Sequence, residues 1–397
     1  MNDQTKKRVV YTVLTLVILG LVAVAAYLYL STAEERAASD TGSVEGRIPK
    51  VPTEINALYG VVEKIALLKS GEEFAVTPEQ TLFRLTDFPV VSPSLNKTED
   101  KVMFYKKEGG DLLSSDFTGK TQAKISNITI VGLFEAVWSN THDRAAALYL
   151  DEEGEIVRGF IHIGTSSITA LPQNIRTPSW SPDGKSLAYL LPLEDRLSLV
   201  VTNSSGKNPK TVFSTPILDA QIKWITSDKI ALQTAPSGLA PGYIFMYSRS
   251  ANSLLRALGP ENGLAGLWSA NGTRLIAGLT DKDGRRPKIS LYSAGGEKLA
   301  APDLQTIPQK CSWASTDKFY CAVPQGLDSG SVWPDDYLRG EINTADKIFY
   351  GDIKNGTVKE VFGQATFDIS DLLVAKNESF LFWVNRKDGT LWALKLK

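Results

Sequence analysis

The sequence is poor in the residues that metal sites and nucleophilic enzymes use. Its 397 residues include two cysteines and two histidines, His142 and His162. A zinc site usually takes three or four cysteine, histidine or carboxylate ligands, so two scattered histidines do not predict one. No G-x-S-x-G motif occurs either. We therefore expect a protein that is not an enzyme, with no metal and no cofactor.

An excess of charge of one sign is also missing. Lysine and arginine number 43 and aspartate and glutamate 44, for a net charge of −1. This balance gives no basic surface for nucleic acid, so we expect no nucleic-acid partner. The 43% of hydrophobic residues and 9% of aromatics are instead typical of a folded globular chain.

A single long hydrophobic run lies near the N-terminus. Val9–Leu30 contains 22 uncharged residues and follows Lys6, Lys7 and Arg8. About 20 apolar residues span a bilayer as a helix, and preceding cations keep that end in the cytoplasm. We predict an uncleaved signal anchor that crosses the cell membrane once, with the rest of the chain extracytoplasmic. A cleaved signal peptide is the alternative, although its apolar region is usually about 7–15 residues long.

The anchor and the segments after it divide the chain into five parts. The lipid bilayer is the first predicted partner, through residues 9–30. The parts are a cytoplasmic tail (1–8), the transmembrane helix (9–30), a polar linker (31–56), an unassigned lead-in (57–80) and a β domain (81–397).

Segments with an aromatic residue, a turn and an alternating strand recur through the β domain. The clearest is TPSWSPDGKSLAYL at 177–190. The anchor residues of the copies are Trp138, Trp180, Trp224, Trp268 and Trp313, with weaker copies at Val91 and Leu373. The intervals between them are 47, 42, 44, 44, 45 and 60 residues. A period in the forties with turn residues between short strands is typical of β-propeller blades.

We therefore predict an all-β fold, a β-propeller with seven four-stranded blades, in which the anchor aromatics pack between blades. Six or eight blades stay open, because residues 57–80 are unassigned. The last repeat is one strand short, and TLFRLTDFP at 81–89 can supply the missing outer strand. Closure by this N-terminal strand would remove a free sheet edge.

The pattern W-S-P-D-G-K-x-L-A-Y at 180–189 resembles the WD-like repeats of TolB-type propellers, which also occur in relatives of prolyl oligopeptidase. The resemblance covers residues 81–397, with one good copy and several degenerate ones. It implies a propeller and says little about activity, because this fold serves scaffolds, carriers and enzymes.

The two cysteines lie in one predicted hairpin. Cys311 and Cys321 are equally far from Thr316, so they face each other if the turn centres there. A cross-strand pair can be close enough to bridge, and an extracytoplasmic location permits oxidation. We predict a disulfide; two small buried thiols are the alternative.

The sixth repeat carries an insertion, QGLDSGSVWPDDYLRGEINTAD, between its second and third strands (325–346). The same connection is enlarged at 234–242 and 280–287, so three neighbouring blades would crowd their longest loops on one face. Loops on a rigid scaffold often carry binding residues, and aromatics and arginine are favoured at interfaces. The candidate partner-binding residues are Trp333, Asp335, Asp336, Tyr337 and Arg339. In the alternative, Trp333 and Tyr337 only pin the loop to the rim.

These observations favour a membrane-anchored scaffold that binds an envelope protein. A sensor or carrier for a small molecule, peptide or glycan on the propeller face or in the central channel is the second hypothesis. A propeller hydrolase or lyase is the third, and it requires titratable groups from several blades to meet at the channel mouth.

Overall fold

Short antiparallel strands form almost the whole fold. The computed structural model describes residues 69–70, 81–151, 154, 157–163 and 167–397. All belong to one compact unit, Gly60–Lys397. Within them, the strands form six four-stranded sheets and one five-stranded sheet.

The strands follow one another along the chain as a series of meanders. Two short strands come first, β1 (Lys69–Ser70) and β2 (Leu82–Arg84). The next sheets are β3–β6 (Val90–Leu95, Val102–Lys106, Asp111–Ser115, Gln122–Thr129), β7–β10 (Leu133–Trp138, Arg144–Leu150, Val157–Ile163, Ser167–Ala170) and β11–β14 (Arg176–Trp180, Ser186–Pro192, Leu197–Asn203, Lys210–Thr215). They are followed by β15–β18 (Gln221–Trp224, Lys229–Gln233, Pro241–Ser248, Ser253–Asn262) and β19–β22 (Ala265–Trp268, Arg274–Leu279, Lys288–Ser293, Lys298–Ala300). The last are β23–β26 (Cys311–Trp313, Lys318–Pro324, Asp346–Asp352, Thr357–Phe362) and β27–β29 (Ile369–Val374, Phe380–Asn385, Leu391–Lys395). A 3₁₀ turn (Pro308–Lys310) precedes β23, and helix α1 (Asp335–Arg339) lies between β24 and β25.

The sheets form a ring around a central channel. The first strand of each meander lies innermost, and contacts join β3 with β7, β7 with β11, β11 with β15, β23 with β27, and β27 with β3. The predicted all-β propeller is therefore confirmed. Six of the sheets have the predicted four strands. The β23–β26 sheet has a fifth, because Lys69–Ser70 pairs in parallel with β26.

Packing between sheets explains the sequence pattern of the second strands. In β12, Leu187, Ala188, Tyr189 and Leu190 are buried one after another, without alternation. A strand covered on both faces reads as a continuous apolar run, and here the two neighbouring sheets supply the cover.

The anchor tryptophans join each sheet to the one before it. The indole N–H groups of Trp138, Trp180 and Trp313 donate to the carbonyl oxygens of Ser92, Val137 and Leu267 at 2.8, 2.7 and 3.0 Å. Trp224 and Trp268 are each buried in an apolar cluster that combines residues of two adjacent sheets. The predicted packing of these aromatics between blades is confirmed.

The ladder register corrects the two weak repeats. The turn bond from Ser181 N–H to Ser186 O corresponds to that from Asn96 N–H to Lys101 O, which makes Leu95 the equivalent of Trp180. The bond from Ala375 N–H to Phe380 O likewise makes Val374 the equivalent residue in the last sheet. Leucine and valine replace tryptophan at these two anchor positions, which hid this register in the sequence. The bulge residues with positive φ at 92 and 371 correspond to Thr177 in the clearest copy.

The predicted closure by an N-terminal strand and the predicted disulfide are both confirmed. β2 pairs antiparallel with β29 and completes the β27–β29 sheet with an N-terminal strand. Cys311 and Cys321 face each other across β23 and β24 and form a disulfide, with a Cα–Cα distance of 4.0 Å.

The predictions for the tail, anchor and linker (1–8, 9–30 and 31–56) fall outside the described residues, and of the lead-in 57–80 only Lys69–Ser70 is described. Among the residues that the structure does describe, no helix is long and apolar enough to cross a membrane.

Two anchor tryptophans form a matched pair for a stability test. Trp180 and Trp224 are each 4% exposed, but the indole N–H of Trp224 has no partner among the described residues. We expect Trp180→Phe to lower the free energy of unfolding by about 1 kcal/mol more than Trp224→Phe, because it leaves the Val137 carbonyl unpaired. Urea denaturation measures both. Equal losses would contradict a role for this hydrogen bond.

Candidate functional site

The three enlarged connections meet on one side of the ring, as predicted. The amide N–H of Trp333 donates to Gly284 O at 2.7 Å, and an Arg285 guanidinium N–H donates to Ser331 O at 2.7 Å. Farther along, Asp335 accepts hydrogen bonds from the Ser237 hydroxyl and the Gly238 N–H, at 2.9 and 2.7 Å. The insertion therefore reaches from its own sheet across the next one to the β15–β18 sheet. We call this side of the propeller the loop face.

Trp333 and Tyr337, two of the predicted partner-binding residues, are buried beneath the surface of the insertion. They are 2% and 3% exposed and stack on each other, with ring centroids 5.6 Å apart. The Tyr337 hydroxyl donates to Asp368 Oδ1 at 3.0 Å. The alternative interpretation holds: these aromatics pin the insertion to the rim.

A buried ionic cluster connects the insertion to the sheets beside it. Lys310 Nζ lies 2.7 Å from Asp346 Oδ2 and 2.8 Å from Asp368 Oδ1, and all three side chains are fully buried. It also donates to Thr344 Oγ1 at 2.9 Å and lies 4.4 Å from the centre of the Tyr337 ring. Burial opposes ionisation of Asp368, but Lys310 and Thr344 outweigh it and lower the pKa of that carboxyl. The cluster therefore joins the β23–β26 sheet, the insertion and the β27–β29 sheet.

The remaining predicted contact residues differ in exposure. Asp336 accepts from the Val332 N–H at 2.7 Å and pairs with Arg339 at 2.5 Å, so it serves the insertion's own structure, whereas Asp335 binds the neighbouring 234–242 connection. The Arg339 side chain is 55% exposed and also pairs with Glu341 at 2.7 Å. Of the five candidates, Arg339 presents the most free surface to a partner.

Exposed apolar side chains concentrate on the loop face. Because the strands of each sheet alternate in direction, the connections from second to third strand and from fourth strand to the next sheet emerge on one side. Six side chains at or beside such connections are between 39% and 73% exposed: Val131, Leu150, Leu193, Leu218, Leu239 and Leu338. Sequence reasoning missed this set, since single leucines in loops carry no motif.

The central channel carries charged side chains that sequence reasoning also missed. Glu135 and Asp371, each three residues before its sheet's anchor position, lie on inner strands that flank the β3–β6 sheet. Burial raises the pKa of both carboxyls, and the charge of Asp371 raises that of Glu135 further. Lys223, one residue before the anchor of β15, is a third charge in the inner wall. The available sequence signal was that Glu135 and Asp371 both lie three residues before an anchor position.

His142 forms no recognisable catalytic or metal group with the other described residues. His142 Nδ1 lies 3.0 Å from Ser94 Oγ, and burial lowers the pKa of the imidazole. The adjacent Asp143 pairs with Arg144 at 2.8 Å. The side chain of His162 lies outside the described part. No group of three or more potential metal ligands occurs among the residues described.

Comparisons with known proteins identify the fold but no family. No family model matches the sequence, and no curated protein matches it. Solved structures do match: oligogalacturonate lyase from Vibrio parahaemolyticus has a TM-score of 0.55 at 10% identity, over 82% of this chain and 96% of that one. The propeller domain of the Trilobed protease from Pyrococcus furiosus has a TM-score of 0.52 at 12% identity, over 78% and 96%.

TolB from Acinetobacter baumannii also matches, with a TM-score of 0.43 and 12% identity over 77% of this chain. The β-propeller fold expected from the repeats is confirmed. The chain spans 63% of that TolB chain and 34% of the tricorn protease chain, which matches at 13% identity and a TM-score of 0.51 over 82% of this chain.

The expectation that the chain is not an enzyme is corrected by these matches. The propeller is shared with a lyase and with chains of proteases, although at 10–13% identity. The lack of a familiar motif therefore does not exclude catalysis by this chain.

Lys310 offers a test of the cluster beneath the insertion. We expect Lys310→Met to lower the free energy of unfolding by about 3–5 kcal/mol, because it leaves two buried carboxylates without their cation. Lys318→Met is the matched control: Lys318 pairs with Glu378 but is 39% exposed, and its loss costs about 1 kcal/mol or less. Denaturant unfolding followed by tryptophan fluorescence measures both. Equal, small losses would contradict the role of the cluster.

Glu135 offers a test of the channel electrostatics. A carboxyl with a raised pKa favours the folded state at low pH, and that contribution is lost as the pH rises through its folded pKa. We therefore expect Glu135→Gln to raise the melting temperature at neutral pH by about 2 °C and to have little effect near pH 4. The exposed Glu194→Gln serves as the control. A pH-independent change would contradict this interpretation.

Proposed function

We propose that this chain is a membrane-anchored, extracytoplasmic propeller that binds a protein partner on its loop face. The observation that carries the proposal is the set of six exposed apolar side chains on that face. We infer a site of interaction from the fact that these side chains share one face of the fold. The insertion adds Leu338 and Arg339 to this surface and is held rigidly by the Lys310 cluster.

The chemistry of the loop face favours a protein over a lipid surface. Leu193 is followed by Glu194, Asp195 and Arg196, and Leu218 by Asp219. Charges of both signs beside apolar residues are typical of protein interfaces, and the acidic ones disfavour contact with anionic lipids. The uncharged run 9–30 supports anchoring, and Lys6, Lys7 and Arg8 support a cytoplasmic N-terminus.

Photocrosslinking in cells tests this proposal. A photoreactive residue is placed at 193, 218 or 239 in the full chain, and at the matched control positions 168 and 255. Ile168 and Leu255 are 55% and 70% exposed but lie on the outer strands β10 and β18. We expect all three loop-face positions, and neither control, to capture the same protein.

The captured protein is then purified and titrated against the full chain. A triple variant, Leu193→Asp, Leu218→Asp and Leu239→Asp, should weaken binding at least 100-fold, while Ile168→Asp with Leu255→Asp should not. Adducts that consist of lipid, or different proteins at every position, would contradict the proposal.

A further inference from the structure

We propose that Lys223 makes the central channel a binding site for a small organic anion, one that carries a carboxylate or phosphate group. The site lies in the inner wall, apart from the apolar side chains of the loop face. This proposal does not depend on the protein partner proposed above.

The position of Lys223 sets it apart from the rest of the inner wall. It directly precedes the anchor residue of its sheet, and in the other sheets this position is neutral. The equivalent residues are Ser94, Val137, Ser179, Leu267, Ser312 and Leu373. The fold therefore accepts small hydroxyls and aliphatic side chains there, and packing does not require a lysine.

The described part of the chain gives the Lys223 ammonium no partner. Lys223 is exposed, and desolvation by the surrounding sheets lowers the pKa of its ammonium, with no carboxylate or hydrogen bond to oppose it. The lysines of the ion pairs, such as Lys310 and Lys347, have acidic partners within 3 Å. A cation without a counterion in a confined wall is stabilised when an anion binds beside it.

Space for a ligand adjoins Lys223 on both sides. A cavity of about 380 Å³ is lined by Lys223 together with Leu267, Trp268, Ser312 and Leu373, from several different sheets. A second cavity of about 230 Å³ shares Lys223, Leu267 and Trp268 and adds Gln221 and Gln233. The larger one is within the range of small-molecule sites, which combine apolar walls with a few polar groups.

The same wall indicates the kind of anion. Leu267, Leu373 and the Trp268 indole offer apolar surface beside the single cation, and Ser269 and Ser312 add hydroxyl groups to the lining. An organic anion with an apolar body fits this combination better than a bare inorganic ion does. Carboxylates and phosphates both satisfy a lysine, which acts as a point charge.

Thermal unfolding of the full chain in a non-denaturing detergent tests the site. The probes are benzoate and phenyl phosphate, which share a ring and differ in the anionic group. At ten times the dissociation constant, binding should raise the melting temperature by about 2–4 °C. Lys223→Gln should abolish the shift, while Lys229→Gln, an exposed lysine on the next strand, should keep it.

A second measurement covers the case in which Lys223→Gln does not fold. The unaltered protein is acetylated briefly with and without each probe, and mass spectrometry compares the labelling of Lys223 and Lys229. We expect protection of Lys223 alone, and the probe that protects at lower concentration assigns carboxylate or phosphate. Equal shifts in all variants, protection of both lysines, or no response to either probe would overturn the proposal.

Discussion

Each sheet of this ring has two apolar faces, and only a neighbouring sheet can bury them. This constraint accounts for the unbroken burial of Leu187–Leu190, for the tryptophans that donate hydrogen bonds to the preceding sheet, and for the closing pair of β2 and β29. An open ring would leave two large apolar faces in water. The hydrophobic effect therefore stabilises the closed ring as a whole. The hydrogen bonds between sheets fix how each sheet is positioned against the one before it.

A second, local constraint acts at the insertion. A loop of this length would cost considerable conformational entropy to order on the surface. Lys310, Asp346 and Asp368 come from before, within and after the enlarged region, and they meet with Tyr337 in one buried cluster. Trp333 and Asp335 then form hydrogen bonds with the two neighbouring loops, which fix the insertion against them. The result is an insertion whose Leu338 and Arg339 are displayed on an ordered support, so less conformational freedom would be lost on binding there.

The sequence reasoning succeeded where the signal is periodic or local. The tryptophan repeats, the turn after Trp180, the pairing of Cys311 with Cys321 and the crowding of the three loops all follow from spacing along the chain. It failed where distant residues share space: the insertion alone does not show that Lys310 and Asp368 will bury Tyr337. The two weak repeats have leucine and valine in place of the anchor tryptophan and were misaligned, so the equivalence of Glu135 and Asp371 in the channel wall stayed hidden.

The pairing of β2 with β29 can form only after nearly the whole chain has been synthesised. Arg84 pairs with Trp392, about 300 residues later. At about 5–20 residues per second, synthesis leaves β2 without its partner for roughly 15–60 s. During that interval the nascent propeller is an open arc with one unpaired strand and two uncovered faces. A chaperone that shields the early sheets would thus act on this protein for most of its synthesis.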